Sequence, residues 1–283
     1  MDNELPFLGV CATNYNCGFV LGEHIDNIYS ILGDFDFEYV IVDNYSKDNS
    51  WKIIERKSEE LKNFHAIRKR CKRGRGRNIA YQHSTADYIV AVDTDTIYSD
   101  LFPLFIRTYF QRSDLRGKSI RAGFAGIYPR SSLDAIGGWG NLNSDDWDLT
   151  VRIWKANLGM KVYPVRMGKN VKDIATGSDM DFLSSRYGTI EKMLRWINTD
   201  IERLGTNRRW NVDLNEVYKD VMIDLEFGIP TRLFYTNLDD YTTIRRYLRY
   251  LRYKVFMALG IQYTLQKWHE ERLVREEQGN KGG

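Results

Sequence analysis

Cysteine is scarce in this chain and follows no recognisable pattern. The three cysteines among 283 residues, Cys11, Cys17 and Cys71, are too few for a disulfide framework and lack the spacing of a metal site. We therefore expect reduced thiols, buried or half-buried, in a reducing compartment. This composition excludes the disulfide-rich secreted domains.

Long apolar runs are also missing. No stretch approaches the ~20 residues that span a bilayer, and the N-terminal MDNELPFLGV lacks the charged segment and apolar run of a signal peptide. We expect a soluble cytoplasmic protein, attached at most to the inner face of a membrane. The net charge is only +3 although 28% of the residues are charged, so the overall charge does not indicate a nucleic-acid partner.

Strand and helix patterns alternate through the first part of the chain. The apolar runs FLGVCAT, EYVIVDN and DYIVAVD predict strands, with a further short strand at 65–68. Helical patterns at 23–32, 50–61 and 79–83 lie between them. This alternation predicts a parallel sheet with helices on both faces.

The middle of the chain changes character, and the end is helical. GFAGIYPR and KVYPV predict strands, SSLDAIGG a short helix closed by glycine, and DDWDLTVRIWKAN a helix opened by acidic residues. Beyond residue 181 apolar residues recur at helical spacing, as at Leu214, Val217, Val221 and Leu225. We predict an α/β domain at 1–180 and a helical extension at 181–283.

Polar side chains follow four of the predicted strands, at the edge where parallel sheets bind ligands. Each group alone is compatible with an ordinary turn or helix cap, but four such ends together predict a polar cleft. In chain order these residues are Thr13, Asn14 and Tyr15; Asp43 and Asn44; Arg75, Arg77 and Asn78; and Asp93 and Asp95.

The string Asp93–Thr94–Asp95 is the strongest signal for metal binding. Two carboxylates separated by one residue at a strand end can face one site, and such oxygen ligands suit Mg²⁺ or Mn²⁺. A basic loop, RGRGR, precedes the same strand, and a site for a diphosphate needs both signs of charge. D-x-D strings also cap turns, so this string indicates a metal site only together with the apolar strand and the basic loop beside it.

Other nucleotide and metal motifs are absent. No G-x-G-x-x-G follows the first strand, and GRGRN lacks the GK[ST] ending of a Walker loop. His269 and Glu271 spell H-x-E, but no C-x-x-C accompanies them. Dinucleotide, P-loop and zinc-deaminase sites are therefore not expected.

Six ordered segments together resemble the family 2 glycosyltransferases: VCATNYN, VIVDNYSKDNS, GRGRNIA, VDTDT, FAGIYPRSSLDAIGGWGN and DDWDLTVRIWKANLGMKVYPV. The resemblance runs from Phe7 to Val165. It implies a GT-A fold, which is a Rossmann-like α/β fold with a mixed sheet, here followed by the C-terminal helical extension. It also implies a divalent metal cofactor, Mn²⁺ or Mg²⁺, and inverting transfer of a hexosyl or deoxyhexosyl group from a nucleotide-diphosphate sugar.

The resemblance assigns contacts to the nucleoside. Thr13 and Tyr15 would contact the nucleoside, and Asp43 or Asn44 would hold the base or ribose. The family often has a second acid where this chain has Asn44, which leaves the identity of the nucleotide open.

The resemblance also assigns the diphosphate and metal contacts. Arg77, together with Arg75, would line the base and diphosphate. Asp93 would face the ribose beside the metal, and Asp95 would ligate the metal that bridges the phosphates.

The acceptor side of the site is implied by DDWDL. Asp146 would be the base that removes the acceptor proton, with Asp145 as the alternative; both acids could instead simply cap the helix. Gly137, Gly138 and Trp139 would form a loop near the sugar, where Trp139 would either stack on a sugar face or belong to the core.

Two basic segments are compatible with more than one binding partner. Seven cations lie between Arg68 and Arg77; a diphosphate role for the Arg75–Arg77 end is favoured over nucleic-acid binding. The segment 240–269 combines cations with aromatics, which suits either a peripheral membrane contact or a packing helix. The acceptor would be a hydroxyl group of a glycan, of a lipid-linked molecule or of a protein. The sequence does not decide whether the protein forms a homodimer. A retaining transferase and a catalytically silent sugar-nucleotide or phosphate-polymer binding protein are the alternatives.

Overall fold

A mixed β-sheet forms the centre of the structure. The computed structural model describes residues 5–163 and 167–170, and single positions or short stretches between 202 and 221. The seven strands run in the order β3-β2-β1-β4-β7-β6-β8, and a small second sheet pairs β5 with β9. The strands are β1 (Leu8–Asn14), β2 (Phe37–Asp43), β3 (Phe64–Arg68), β4 (Tyr88–Asp93), β5 (Thr96–Tyr98), β6 (Ser119–Ala122), β7 (Ala125–Pro129), β8 (Met160–Tyr163) and β9 (Gly168–Asn170).

Strand direction divides the sheet into two parts. The first four strands, β3-β2-β1-β4, are parallel to their neighbours. Strand β7 is antiparallel to both β4 and β6, and β8 is parallel to β6. The sheet is therefore mixed, as the resemblance implies, and the parallel part carries the predicted polar strand ends on one edge.

Within residues 5–163, six helices cover the two faces of the sheet. Helices α1, α2 and α4 pack on one face, around Ile25, Ile54 and Phe105, and α3, α5 and α6 pack on the other, around Ala80 and Leu133. Because parallel strands are buried on both faces, β2 is buried along its whole length. The helices are α1 (Leu21–Ile31), α2 (Ser50–Glu60), α3 (Arg73–His83), α4 (Leu101–Gln111), α5 (Arg130–Ile136) and α6 (Asp145–Lys155).

Most elements agree with the sequence patterns, but the basic segment does not. The sequence suggested a loop at RGRGR and a helix only near 79–83, whereas α3 begins at Arg73. Glycine disfavours helices in isolation, yet both glycines here lie where a side chain has no room. A Cβ on Gly74 would come within 2.2 Å of the Gly140 carbonyl oxygen, and one on Gly76 within 2.4 Å of Thr13 Cγ2. Close packing therefore explains the glycines.

The C-terminal part is described at only a few positions. Glu202, Thr206, Val217 and Val221 are helical, and both valines are fully buried in the core on the α6 side of the sheet. The predicted boundary near residue 180 and the segment 240–269 lie outside the described residues. Within the described part of the chain, no helix has the length and apolar character needed to cross a membrane.

Candidate active site

Three of the predicted polar strand ends meet at one edge of the sheet. In the parallel register Asn14 lies beside Asp43, and Thr13 beside Asp93. Asp93 is the last residue of β4, and Asp95 lies in the turn between β4 and β5. The parallel pairing of β1 with β4 thus places the D-x-D string next to the end of β1.

Arg77 is the centre of an ion-pair network at this edge. Its Nη2 donates to Asp93 Oδ1 at 2.5 Å, and its Nη1 donates to Asp145 Oδ2 at 2.7 Å and to Asp146 Oδ1 at 2.5 Å. The guanidinium side chain is only 5% exposed. A buried cation therefore joins the D-x-D string to the acidic start of α6.

Arg73 binds the same pair of acids from one helical turn earlier. Its Nε donates to Asp145 Oδ1 at 2.6 Å, and its Nη2 donates to Asp146 Oδ2 at 3.3 Å and to the Asn143 carbonyl oxygen at 2.8 Å. Residues four apart share a helix face, so α3 presents both arginines to α6.

Two glycines allow α3 to pack closely against the start of α6 and the end of β1. A Cβ on Gly74 would lie 2.6 Å from the Cβ of Asp145, and Gly76 packs on Thr13. The Thr13 hydroxyl donates to the Arg73 carbonyl oxygen at 3.1 Å. The small residues of RGRGR therefore bring the arginines within reach of carboxylates from two other elements.

The two acids of α6 differ in access to solvent. The Asp145 side chain is fully buried, whereas that of Asp146 is 33% exposed. Burial alone would raise the pKa of Asp146, but the positive charges of Arg77 and Arg73 outweigh it and hold the pKa well below its ordinary value. In this arrangement Asp146 is a stable carboxylate.

The D-x-D carboxylates repel one another. Burial raises the pKa of Asp93 to about 6; Arg77 opposes this shift, and the negative charge of Asp95 adds to it. No group of three His, Cys, Asp or Glu side chains suited to a metal is present among the described residues. Two carboxylates with excess negative charge fit Mn²⁺ or Mg²⁺, which take one or two protein carboxylates and complete their shell with phosphate oxygens and water.

Buried polar groups fix the turn that carries Asp95. His24 Nδ1–H donates to the Thr96 carbonyl oxygen at 2.7 Å, and the Tyr39 hydroxyl donates to His24 Nε2 at 2.9 Å. Burial lowers the pKa of His24 to about 4, so the ring is neutral at pH 7. The Tyr98 hydroxyl accepts from the Asp93 amide at 3.0 Å, which holds the other end of the turn.

The residues assigned to the base or ribose have internal partners. Asp43 is fully buried and accepts hydrogen bonds from Asn14 Nδ2 at 2.8 Å and from the Ser46 amide at 3.0 Å. Asn44 Oδ1 accepts from the Cys71 amide at 2.9 Å. In this structure both side chains shape the loops after β2 and β3.

The remaining predicted residues surround the network at different depths. Tyr15 is half-buried, and Arg75 is exposed on α3 without a side-chain hydrogen bond or ion pair to another described residue. Trp139 is 3% exposed, with its ring 5.9 Å from that of Tyr81 and 5.2 Å from that of Tyr128. Of the two roles considered for Trp139, this position corresponds to the core tryptophan.

The loop before Trp139 needs glycine. Gly137 and Gly138 have φ angles of 72° and 68°, in the left-handed region. A Cβ on Gly138 would lie 2.0 Å from Asn78 Oδ1. This loop therefore brings α5 against α3, beside the arginine network.

Sequence patterns alone did not predict a site role for Arg73 or His24. Arg73 lies four residues before Arg77, a helical spacing that was hidden because RGRGR resembled a loop. His24 lies within α1, far along the chain from Thr96, and no local pattern signals that contact. Of the seven cations in the basic run, Arg73 and Arg77 face the acids of α6, which leaves fewer for a phosphate polymer.

Comparison with known proteins gives a family match for the first part of the chain. Residues 10–114 match the model of the family described as Glycosyl transferase family 2. The match includes the ends of β1, β2 and β4, the arginines of α3 and the D-x-D string, and it stops before the acids of α6. No curated protein shows significant sequence similarity to the chain.

Solved structures share the fold at low identity. A mannosyltransferase from Pyrobaculum calidifontis, in complex with GDP-Man and Mn²⁺, is 14% identical with a TM-score of 0.56, over 94% of this chain and 84% of that one. S. aureus TarS with UDP-GlcNAc is 16% identical with a TM-score of 0.45, over 77% and 74%. Glucosyl-3-phosphoglycerate synthase from Mycobacterium tuberculosis is 15% identical with a TM-score of 0.46, over 67% and 79%. The first shows the GT-A fold; the other two are too distant to add an argument.

Proposed function

We propose that the protein transfers a hexosyl or deoxyhexosyl group from a nucleotide-diphosphate sugar to an acceptor hydroxyl, with Mn²⁺ or Mg²⁺ as cofactor. The observation that carries the proposal is the Arg77 network, in which one buried guanidinium contacts Asp93 of the D-x-D string and both acids of α6. Cations and carboxylates from β4, α3 and α6 thus lie side by side, as diphosphate chemistry requires.

The donor would bind along the ends of the parallel strands. The nucleoside would contact Thr13, Tyr15 and Asp43 or Asn44, and the diphosphate would lie beside Arg75 and Arg77 of α3. Asp93 and Asp95 would hold the divalent ion, which would offset the charge that develops on the leaving diphosphate. The Mn²⁺ and GDP-Man in the mannosyltransferase of similar fold support this assignment.

The two arginines would be shared between the enzyme and the donor. Arg73 and Arg77 neutralise Asp145 and Asp146 in the structure described here. A diphosphate offers stronger, bidentate acceptors, so part of this bonding would move to the phosphates when the donor binds. Asp146 would then lose some of the positive charge that depresses its pKa and become a better proton acceptor.

Asp146 is therefore our choice for the base. Its partly exposed carboxylate is accessible to an acceptor hydroxyl, while fully buried Asp145 is held by both arginines and serves to position them. Removal of the acceptor proton by Asp146 would accompany in-line attack on the anomeric carbon, with inversion. A glycan, a lipid-linked glycan or a protein would supply the hydroxyl.

The segment 240–269 is proposed as a peripheral membrane contact, and a homodimer is likewise a proposal.

The direct test is a panel of UDP-, GDP- and dTDP-sugars with Mn²⁺, in which water accepts the sugar and release of the nucleoside diphosphate is measured. We expect turnover with one nucleotide class, and loss of turnover in EDTA or in Asp95→Ala. Binding without release for every donor would support the silent binding protein instead. Full activity in EDTA would remove the metal from the proposal.

A further inference from the structure

Glu202 lies in the C-terminal part of the chain but contacts the start of α6. Its Oε2 accepts hydrogen bonds from the backbone N–H groups of Asn143 at 2.6 Å and Ser144 at 3.0 Å. Its Oε1 accepts from Lys72 Nζ at 2.7 Å. The side chain is only 12% exposed, so the carboxylate is largely enclosed by these three donors.

The amides that Glu202 binds precede the acids of the active site. Ser144 is the N-cap of α6, and its own hydroxyl makes no capping hydrogen bond. A helix start normally needs a side-chain acceptor for its free amides. Here a carboxylate from a distant segment fixes the turn that leads directly into Asp145 and Asp146.

The same carboxylate also reaches the start of α3. Lys72 is the residue before α3, and Arg73 follows it. Arg73 in turn donates to the Asn143 carbonyl oxygen at 2.8 Å, so the loop before α6 is held on both sides. Thr206, four residues beyond Glu202, adds a hydrogen bond to Asp148 Oδ1 at 3.5 Å.

The positions of α3 and α6 set the geometry of the ion-pair network. The guanidinium groups come from α3 and the Asp145–Asp146 pair from α6. Glu202 is bonded to the residue that precedes each helix, through the Lys72 side chain before α3 and the Ser144 backbone N–H before α6. A displacement of about 1 Å in a catalytic group can reduce turnover about a hundredfold. A contact that fixes this distance therefore bears on turnover without touching the substrate.

We infer that Glu202 is a positioning residue for the proposed transfer reaction, acting as an external cap that holds the loop before α6 and keeps Asp145 and Asp146 aligned with Arg73 and Arg77. The inference rests on the proposed function, and it assigns to the C-terminal part of the chain a direct role in the site. The structural part, the bond from Glu202 to the loop, can be tested without any assay of activity.

The test compares full-length wild type with Glu202→Ala, Glu202→Gln and the control Glu59→Ala, which removes an exposed carboxylate on α2. Hydrogen exchange of the Asn143 and Ser144 amides should be at least tenfold faster in Glu202→Ala, with strand amides such as Val40 unchanged. Glu202→Gln keeps an oxygen acceptor and should give intermediate rates. Glu59→Ala should match wild type.

Turnover is measured on the same variants with GDP-mannose and UDP-glucose in Mn²⁺, as release of the nucleoside diphosphate when water accepts the sugar. We expect kcat of Glu202→Ala to fall at least tenfold, the donor KM to change less than threefold, and Glu202→Gln to recover part of the loss. Unchanged exchange in Glu202→Ala would overturn the inference whatever the activity. Faster exchange with unchanged kcat would overturn the catalytic positioning. Absence of turnover in wild type would count against the proposed function, while the exchange rates would still decide whether Glu202 holds the loop.

Discussion

At the scale of single residues, two adjacent acids have different surroundings. Asp145 is enclosed by Arg73 and Arg77, whereas Asp146 shares the same arginines at a partly open position. The free energy of an ion pair between buried groups depends on its surroundings, because desolvation opposes the attraction. The arrangement therefore suits Asp145 to fixing the arginines and Asp146 to reacting.

Replacing Asp146 by asparagine should reduce turnover sharply and leave the fold intact. Loss of a general base costs about 10²–10⁴ in rate, so we expect kcat of Asp146→Asn to fall by at least about 10², measured as nucleotide release at saturating donor. The control is Asp87→Asn, which removes an exposed acid remote from the site. Turnover of Asp146→Asn within threefold of wild type would exclude Asp146 as the base.

His24 should make the stability of the fold depend on pH. Its folded pKa of about 4 lies below the ordinary value of 6.5, so the unfolded chain binds the proton more readily. The free energy of unfolding should therefore be independent of this histidine above pH 6.5 and should decrease as the pH falls from 6.5 towards 4. At 1.36 kcal/mol per pKa unit, the total decrease is about 3 kcal/mol.

This contribution is measured by urea unfolding at pH 7.5 and pH 4.5 in wild type and His24→Gln, because other titrating groups cancel in the comparison. The variant should be less stable than wild type at pH 7.5 but lose less stability on acidification. His83→Gln, which changes an exposed histidine, should follow wild type. Equal pH slopes in wild type and His24→Gln would contradict the buried neutral ring.

At the scale of elements, sequence patterns predict the helices and strands that have a clear hydrophobic periodicity. They fail for elements whose formation depends on packing against other parts of the chain. The buried runs of β1, β2 and β4 and the amphipathic stretches of α1, α2 and α6 could be identified from the sequence. The short strands β5, β6 and β9 and the helix α4 were not. Short strands carry few residues for a pattern to appear, and β5 and β9 in addition pair with each other across a long stretch of chain.

The site residues likewise divide into those that a local motif reveals and those that only the folded chain brings together. The D-x-D string and the acids of α6 could be found because each is local, and Arg77 because it occurs in a motif. Arg73 and Glu202 could not, since the first needed the correct start of α3 and the second acts across the fold. Convergence of distant groups is a property of the folded chain.

Substitution of a glycine in α3 tests whether this helix packs closely on β1. Gly76→Ala would place a Cβ 2.4 Å from Thr13 Cγ2, and we expect it to lower the free energy of unfolding by about 1–3 kcal/mol, the usual cost of overpacking. Gly22 in α1 is the matched control, because a Cβ there meets nothing nearer than 3.9 Å.

Gly22→Ala should raise the free energy of unfolding by about 0.5 kcal/mol by restricting the unfolded chain. Both values come from urea unfolding. A stabilising Gly76→Ala would show that α3 does not pack closely on β1.

At the scale of the whole molecule, the mixed sheet brings basic α3, acidic α6 and the D-x-D turn to one edge. The two arginines and the carboxylates of Asp93, Asp95, Asp145 and Asp146 leave this edge with excess negative charge, which suits a divalent cation before a diphosphate binds. A ligand that binds only the folded state raises its stability by mass action, about 2.7 kcal/mol at a hundredfold excess over the dissociation constant. Donor binding should therefore appear as a metal-dependent thermal shift.

The most direct measurement is the melting temperature of wild type and Asp95→Asn with GDP or UDP, each with Mn²⁺ and with EDTA. We predict that one nucleoside diphosphate raises the melting temperature of wild type in Mn²⁺, and that EDTA or Asp95→Asn abolishes the shift. An equal shift in EDTA, or a full shift in Asp95→Asn, would contradict the claim that these carboxylates share a divalent ion with the diphosphate.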